Sequence, residues 1–196
     1  MKPAYDKYDQ ALLAMQKKDV AGARKLATEA AQLVPAEGRF HQLLGDIDLG
    51  EKRNRDSLAH YRRAMDQSPD YFGSWLGAGV AQYRLGNRTE ARQYLTRSME
   101  LLPTAPAALF LGNIARDAGD APGALKLYQM AASSQSSIGQ EAAREAVMID
   151  LPTNPGNYVA AALRAGSGGQ PLLVVQNKSP VPLGSISVTP VLVNSA

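Results

Sequence analysis

The chain has 196 residues, of which 45% are hydrophobic and 20% charged, with a formal net charge of +3 at pH 7. That balance is ordinary for a folded globular protein and excludes disorder over most of the length. The lack of cysteine excludes a disulfide framework and thiolate metal centres, and the mild basicity permits anionic partners without demanding them.

The N-terminal stretch MKPAYDKYDQ has no apolar core of a secretory leader. No apolar run along the chain approaches the ~20 residues that span a bilayer. From Tyr5 onward apolar and small residues recur at helical spacing, and the pattern itself repeats. Pro35, Pro69 and Pro103 stand 34 residues apart. Five residues before each comes Ala30, Ala64 or Ser98; twelve before, Ala23, Ser57 or Ala91; twenty-four before, Ala11, Gly45 or Gly79. A fourth copy carries Gly112, Ala124 and Ala131, slipped by one residue in the turn LLPTAP and without the closing proline.

Each period predicts two helices with a short break between them, and the breaks read KKD, EKRN, LGN and AGD. Gly86 and Gly119 fall where the first helix of a pair ends, a position that favours left-handed φ. Glycine inside a helix costs about 1 kcal/mol against alanine, so Gly79 needs a reason. Antiparallel helices about 8–10 Å apart leave little room where they cross, and Gly79 facing Ala91 lets two backbones approach.

These residues resemble the tetratricopeptide repeat family from about Tyr5 to Ser134. The third copy carries Trp75, Ala78, Gly79, Gly86, Ala91, Leu95, Ser98 and Pro103; the second carries Leu44, Gly45, Tyr61, Ala64 and Pro69. The first departs from the pattern, with Lys7 and Ala27 where bulky apolar residues are usual. The resemblance implies a mainly α chain, an α-solenoid of four helix-turn-helix repeats over residues 1–135.

Ile138 to Ile149 reads as one more helix with an apolar stripe of Ala142, Ala143, Ala146 and Val147. Stacked repeats leave an open apolar end that a terminal helix covers, so residues 136–151 are expected to be a cap. From Pro152 the composition shifts to β-branched runs bounded by Gly, Ser, Asn and Pro. Strands are expected near Asn157–Arg164, Leu172–Asn177 and Ser185–Val193, with AGSGGQP as a turn and Pro190 breaking the third strand or setting it at an edge. Residues 152–196 thus form a small antiparallel β tail, which either packs on the helices or belongs to a larger sheet.

Catalytic chemistry is hard to find. His41 holds the slot that Trp75 holds one repeat later and reads as a packing residue; His60 reads as solvated. Their separation of 19 residues, without cysteine, argues against zinc, and there is no HExxH. GAG at Gly77–Gly79 follows no strand. GSGG at Gly166–Gly169 lacks the Lys-Ser/Thr of a phosphate loop and reads as a hairpin turn. Glu141 and Glu145 read as an exposed face of the cap rather than an acid–base pair. Asn177–Ser179 matches a glycosylation sequon, relevant only to a secreted eukaryotic protein. Arg53, Arg55, Arg62, Arg63, Arg84, Arg88, Arg92 and Arg97 are interleaved with acids, the pattern of a solvated face and not of a nucleic-acid stripe. No catalytic residue, metal ligand or cofactor is expected.

The repeat geometry then carries the functional expectation. First helices of stacked pairs line a concave side, which suits a peptide or a partner's helix. Matching repeat positions gives Tyr8 and Leu12 in the first repeat, with Met15, and Gln42 and Asp46 in the second, with Leu49. The third repeat gives Leu76, Val80, Tyr83 and Arg84, and the fourth gives Leu109, Asn113 and Arg116. Chaperone-binding members of the family grip a terminal carboxylate with Lys and Asn at these places. The side chains here differ, so the carboxylate clamp is missing and a mixed apolar and polar segment is the expected ligand.

A second resemblance involves LLPTAPAALFLGNIARDAGD, NPGNYVAA and VQNKSPVPLGSISV. These phrases are similar to the C-terminal part of bacterial prenyl-protease-like zinc metalloproteases, whose HExxH domain precedes their repeats. That resemblance implies a substrate-presenting or regulatory region in the bacterial envelope or periplasm; without it a cytoplasmic location is expected. The main expectation is a non-catalytic protein-binding scaffold. A further alternative is self-assembly, with the β tail pairing edge to edge in a homo-oligomer.

Overall fold

Every repeat becomes an antiparallel helix pair. The computed structural model describes residues 1–165 and 171–184. The pairs are α1 (Lys2–Gln16) with α2 (Val20–Leu33), α3 (Gly38–Gly50) with α4 (Asn54–Gln67), α5 (Phe72–Arg84) with α6 (Arg88–Leu101), and α7 (Ala105–Asp117) with α8 (Ala121–Ala132). The cap is α9 (Ser137–Asp150), followed by a 3₁₀ turn at Pro155–Asn157 and strands β1 (Val159–Ala165) and β2 (Pro171–Asn177).

One turn design joins the two helices of every pair. The residue entering the left-handed region is Lys18 (φ 61), Lys52 (φ 61), Gly86 (φ 87) or Gly119 (φ 80). The next amide donates back to the first helix at the same place each time: Asp19 to Ala14 O, Arg53 to Asp48 O, Asn87 to Gln82 O and Asp120 to Ala115 O, at 2.8–3.0 Å. Asp19 and Asp120 then cap the second helix by accepting from the amides of Gly22 and Gly123, satisfying an otherwise orphaned helix N–H.

The small residues sit at the crossing of each pair, as expected. Ala11, Ala23, Ala30, Ala91 and Ser98 have no exposed surface, and Ala64 is 1% exposed. Ser57 Oγ donates to the carbonyl of Gly45 at 3.0 Å, so the backbones do come close. The glycines, however, answer to a side chain. A Cβ on Gly45 would lie 2.8 Å from Tyr61, on Gly79 2.6 Å from Leu95, and on Gly112 2.7 Å from Tyr128. In the second, third and fourth pairs a large residue of the second helix lies over the glycine of the first. Tyr61 is wedged further, since a Cβ on Gly77 of the next repeat would fall 2.1 Å from its ring.

The first helices touch along the stack, α3 against α5, α5 against α7 and α7 against α9, and each second helix also meets the first helix of the next pair. The first helices thus form an inner layer and the second helices an outer one. The cap seats Ala142, Ala146 and Val147, all buried, with Ala142 and Ala146 in the cluster formed by Ala108, Leu109, Ala124, Tyr128 and Ala131.

Strands β1 and β2 pair antiparallel with Val159 opposite Asn177, close to the expected bounds. The expected third strand, Ser185–Val193, and the GSGG turn lie outside the described residues. Of the two expectations for the tail, packing on the helices is not what the described strands do: Leu163, Leu172, Leu173 and Val175 are exposed. The link to the helices is polar. Asp150, 8% exposed, accepts from Asn154 Nδ2, Asn157 Nδ2 and Tyr158 Oη at 2.7, 3.2 and 2.8 Å. Those hydrogen bonds, from Asn154 and Tyr158 first, hold its carboxyl below the ordinary range.

Candidate functional site

The inner layer gathers one turn from each of α1, α3, α5 and α7. At its N-terminal end Tyr5 and Tyr8 pack on Phe40, with ring centroids 5.3 and 5.2 Å apart. Beside them opens a hollow of about 310 Å³ lined by Tyr8, Glu37, Arg39, Gln42, Ser68 and Tyr71. Arg39 covers the face of Tyr5 at 5.3 Å and pairs with Glu37 at 3.1 Å; the Tyr5 hydroxyl also donates to Glu37. Gln42 Nε2 donates to the Tyr71 hydroxyl at 3.5 Å. Tyr5, Arg39 and Tyr71 were not among the residues expected from sequence, although Tyr5 and Arg39 occupy one repeat position and that equivalence was available.

Further along, a polar residue of the inner layer is fixed by a tyrosine from the outer one. Tyr61 Oη donates to Asp46 Oδ1 at 2.6 Å, and Tyr128 Oη donates to Asn113 Oδ1 at 2.7 Å. These are equivalent positions in the second and fourth repeats. Desolvation by the surrounding helices raises the Asp46 carboxyl above its ordinary value, against the pull of the hydrogen bonds from Tyr61 and Gln42, although the residue lies exposed on the inner layer. Burial, first of all, pushes Tyr128 up to about 12. Neither pair is a proton-transfer device near neutral pH; each holds a polar group in one orientation.

Leu12 is 37% exposed on α1, and Leu76 and Tyr83 are half-buried on α5. Two expected groove residues are corrected. Val80 is 6% and Leu109 3% exposed. Val80 packs with Ala91, Leu95, Ala107 and Ile114, and Leu109 with the cluster under the cap. Both serve as core because their own repeat neighbours cover them. Tyr83 is held by Phe110, edge to face at 5.3 Å, and by Arg88 lying 3.9 Å over its ring. Arg84 Nη1 donates to the carbonyl of Leu49 at 2.7 Å. Arg116 pairs with Glu145 of the cap at 2.5 Å, which gives Glu145 an ion-pair role.

Three of the arginines of the middle repeats are ion-paired. Arg53 pairs with Asp48, Arg88 with Asp117, and Arg97 with Glu100, so basic residues are interleaved with partners. His41 is buried, at 6% exposure, as expected of a packing residue. His60 differs from expectation: its side chain is 26% exposed and its ring stacks on His41.

Residues 43–106 match a family model described as tetratricopeptide repeat. Tetratricopeptide repeat-containing protein trd-1 of Caenorhabditis elegans is 32% identical over 65 residues, covering 33% of this chain and 8% of that protein. Cellulose synthase 2 operon protein C of Komagataeibacter xylinus is 30% identical over 128 residues, covering 57% of this chain and 10% of that protein. The chain therefore spans a tenth or less of the length of these curated relatives. Among solved structures, MamA superposes with a TM-score of 0.65 at 16% identity, over 76% of this chain and 81% of that one. The first repeat domain of Spaghetti bound to an HSP90 peptide gives 0.59 at 16%, over 60% and 94%. Yeast Tom70 gives 0.66 at 16%, over 77% and 34%. At these identities the structures speak for the fold. None of these relatives is described as a protease, and they lend the metalloprotease resemblance no support.

Proposed function

We propose, for a chain that belongs to the tetratricopeptide-repeat family, that its inner layer binds an extended peptide or protein segment and that the chain acts as a non-catalytic interaction scaffold. The observation that carries this reading is the composition of that layer. Leu12, Leu76 and Tyr83 offer apolar surface, while Asp46 and Asn113 are held in fixed orientation by hydroxyls from behind. Preorganised polar groups between apolar patches bind with less ordering cost than free ones. The HSP90 peptide bound to the Spaghetti domain supports a polypeptide as the class of ligand. A chaperone tail is not the ligand of choice, because Tyr8, Gln42, Asp46 and Leu76 stand where Lys and Asn would grip a carboxylate.

A displayed library of random peptides selected on the chain provides the test. Leu12→Lys combined with Leu76→Lys should weaken the enriched peptides by roughly a hundredfold, the loss of about two apolar anchors. Arg92→Ala on the outer face should leave them unchanged. Enriched peptides that ignore both groove substitutions would end this reading.

A further inference from the structure

Matched repeat positions put Leu12, Asp46, Val80 and Asn113 in one row of the inner layer, and Asp46 is the charged member of that row. The arginines of this layer are engaged elsewhere. Arg39 pairs with Glu37 at 3.1 Å and Arg116 with Glu145 at 2.5 Å, while Arg84 Nη1 donates to the carbonyl of Leu49 at 2.7 Å. Among the described residues no Lys, Arg or His forms an ion pair with Asp46.

The fold does not need that charge. Tyr61 Oη donates to Asp46 Oδ1 at 2.6 Å, and in the fourth repeat Tyr128 Oη makes the equivalent bond to Asn113 Oδ1 at 2.7 Å. An amide oxygen thus serves the tyrosine as an acceptor just as a carboxylate does. What the carboxylate adds is a charge that the surrounding helices partly desolvate and that no cation of the chain offsets. A cation carried in by a ligand would make a charge-assisted hydrogen bond there and relieve that cost.

The space beside Asp46 suits a long basic side chain. Gln42, one helical turn earlier on α3, lines the hollow of about 310 Å³ together with Tyr8 and Tyr71. Tyr71 is 43% exposed and Tyr8 half-buried. Burial raises the Tyr8 hydroxyl and the Asp46 charge adds to the rise, so the carboxylate lies within electrostatic reach of that hollow. Glu37 and Arg39 in the same wall offset each other. On the reading of the inner layer as a peptide groove, we infer that the bound segment sets a lysine or arginine against Asp46, with its aliphatic stem along Tyr8 and Tyr71 and its cation on the carboxylate. Tyrosine rings accept both the stem and the charge of such a side chain. An extended chain rises about 3.3 Å per residue and packed helices stand about 8–10 Å apart. Apolar residues about three positions to either side of the basic one then meet Leu12 on α1 and Leu76 on α5.

The test is selection of a displayed random-peptide library on the native chain and on Asp46→Asn at pH 7.5. The native chain is expected to enrich segments with a lysine or arginine flanked by apolar residues about three positions away, and Asp46→Asn to lose that enrichment. Replacing the basic residue of an enriched peptide with glutamine should weaken it roughly tenfold on the native chain and change little on Asp46→Asn. Added salt should narrow the difference. The glutamine peptide is read on the native chain, so that result does not depend on the fold of the variant. Enriched peptides that are weakened by Leu12→Lys with Leu76→Lys, yet carry no basic residue or lose nothing on its replacement, overturn this inference and leave the groove standing. Peptides that ignore those two groove substitutions, or the absence of any enriched peptide, overturn both.

Discussion

The second and fourth repeats share one pair of positions that the third fills differently. In the former a tyrosine lies over a glycine and its hydroxyl reaches a polar residue, Tyr61 to Asp46 and Tyr128 to Asn113. In the third repeat Leu95 lies over Gly79 and Val80 takes the place of the polar acceptor. A phenol that passes between two helices must end on an acceptor, because a buried donor without one forfeits its hydration. A leucine needs none, and the inner residue is then free to be apolar. The outer helix therefore decides whether the inner helix must carry a polar acceptor at that level or can carry hydrocarbon.

Substitution at the glycine should break this arrangement most severely. Gly79→Leu places new carbons where Leu95 already lies, since even a Cβ would sit 2.6 Å away, and should destabilise the fold by about 3 kcal/mol in a urea titration. Gly112→Leu should do the same beneath Tyr128. Removing the hydroxyl alone sharpens the comparison: Tyr61→Phe should cost about 1–2 kcal/mol and Tyr128→Phe about 1 kcal/mol, the carboxylate being the stronger acceptor. The turns offer a change of opposite sign. Lys52→Gly relieves a left-handed non-glycine residue and should stabilise by about 1 kcal/mol, whereas the third and fourth repeats already have that advantage in Gly86 and Gly119. The smallest effect is pH dependent. Burial raises the folded-state pKa of Asp46, so folding takes up protons as pH falls through its titration range and the carboxylate is a liability above it. Asp46→Asn, which copies the fourth repeat, should gain stability at neutral pH, and the gain should vanish as the medium is acidified; a gain that persists unchanged in acid would remove burial as the cause.

Helix boundaries and crossings were readable because small residues and prolines recur at fixed spacing, and Gly86 and Gly119 marked two of the four turns. Lys18 and Lys52 hid the other two: nothing in lysine's chemistry announces positive φ, and only alignment of the repeats places it. Groove residues were read less well. Val80 and Leu109 hold inner-layer positions, but burial depends on the size of residues contributed by neighbouring helices, which a periodic pattern does not weigh. The Tyr61–Asp46 and His41–His60 contacts join helices across a turn, so their partners lie 15 and 19 residues apart, beyond the reach of a local motif.

Asp150 ends the helical array and receives the hydrogen bonds from Asn154, Asn157 and Tyr158. Loss of that carboxylate would release the segment 154–158 from the end of α9, because three side chains share it as their acceptor, while the apolar contacts inside the helix stack would be untouched.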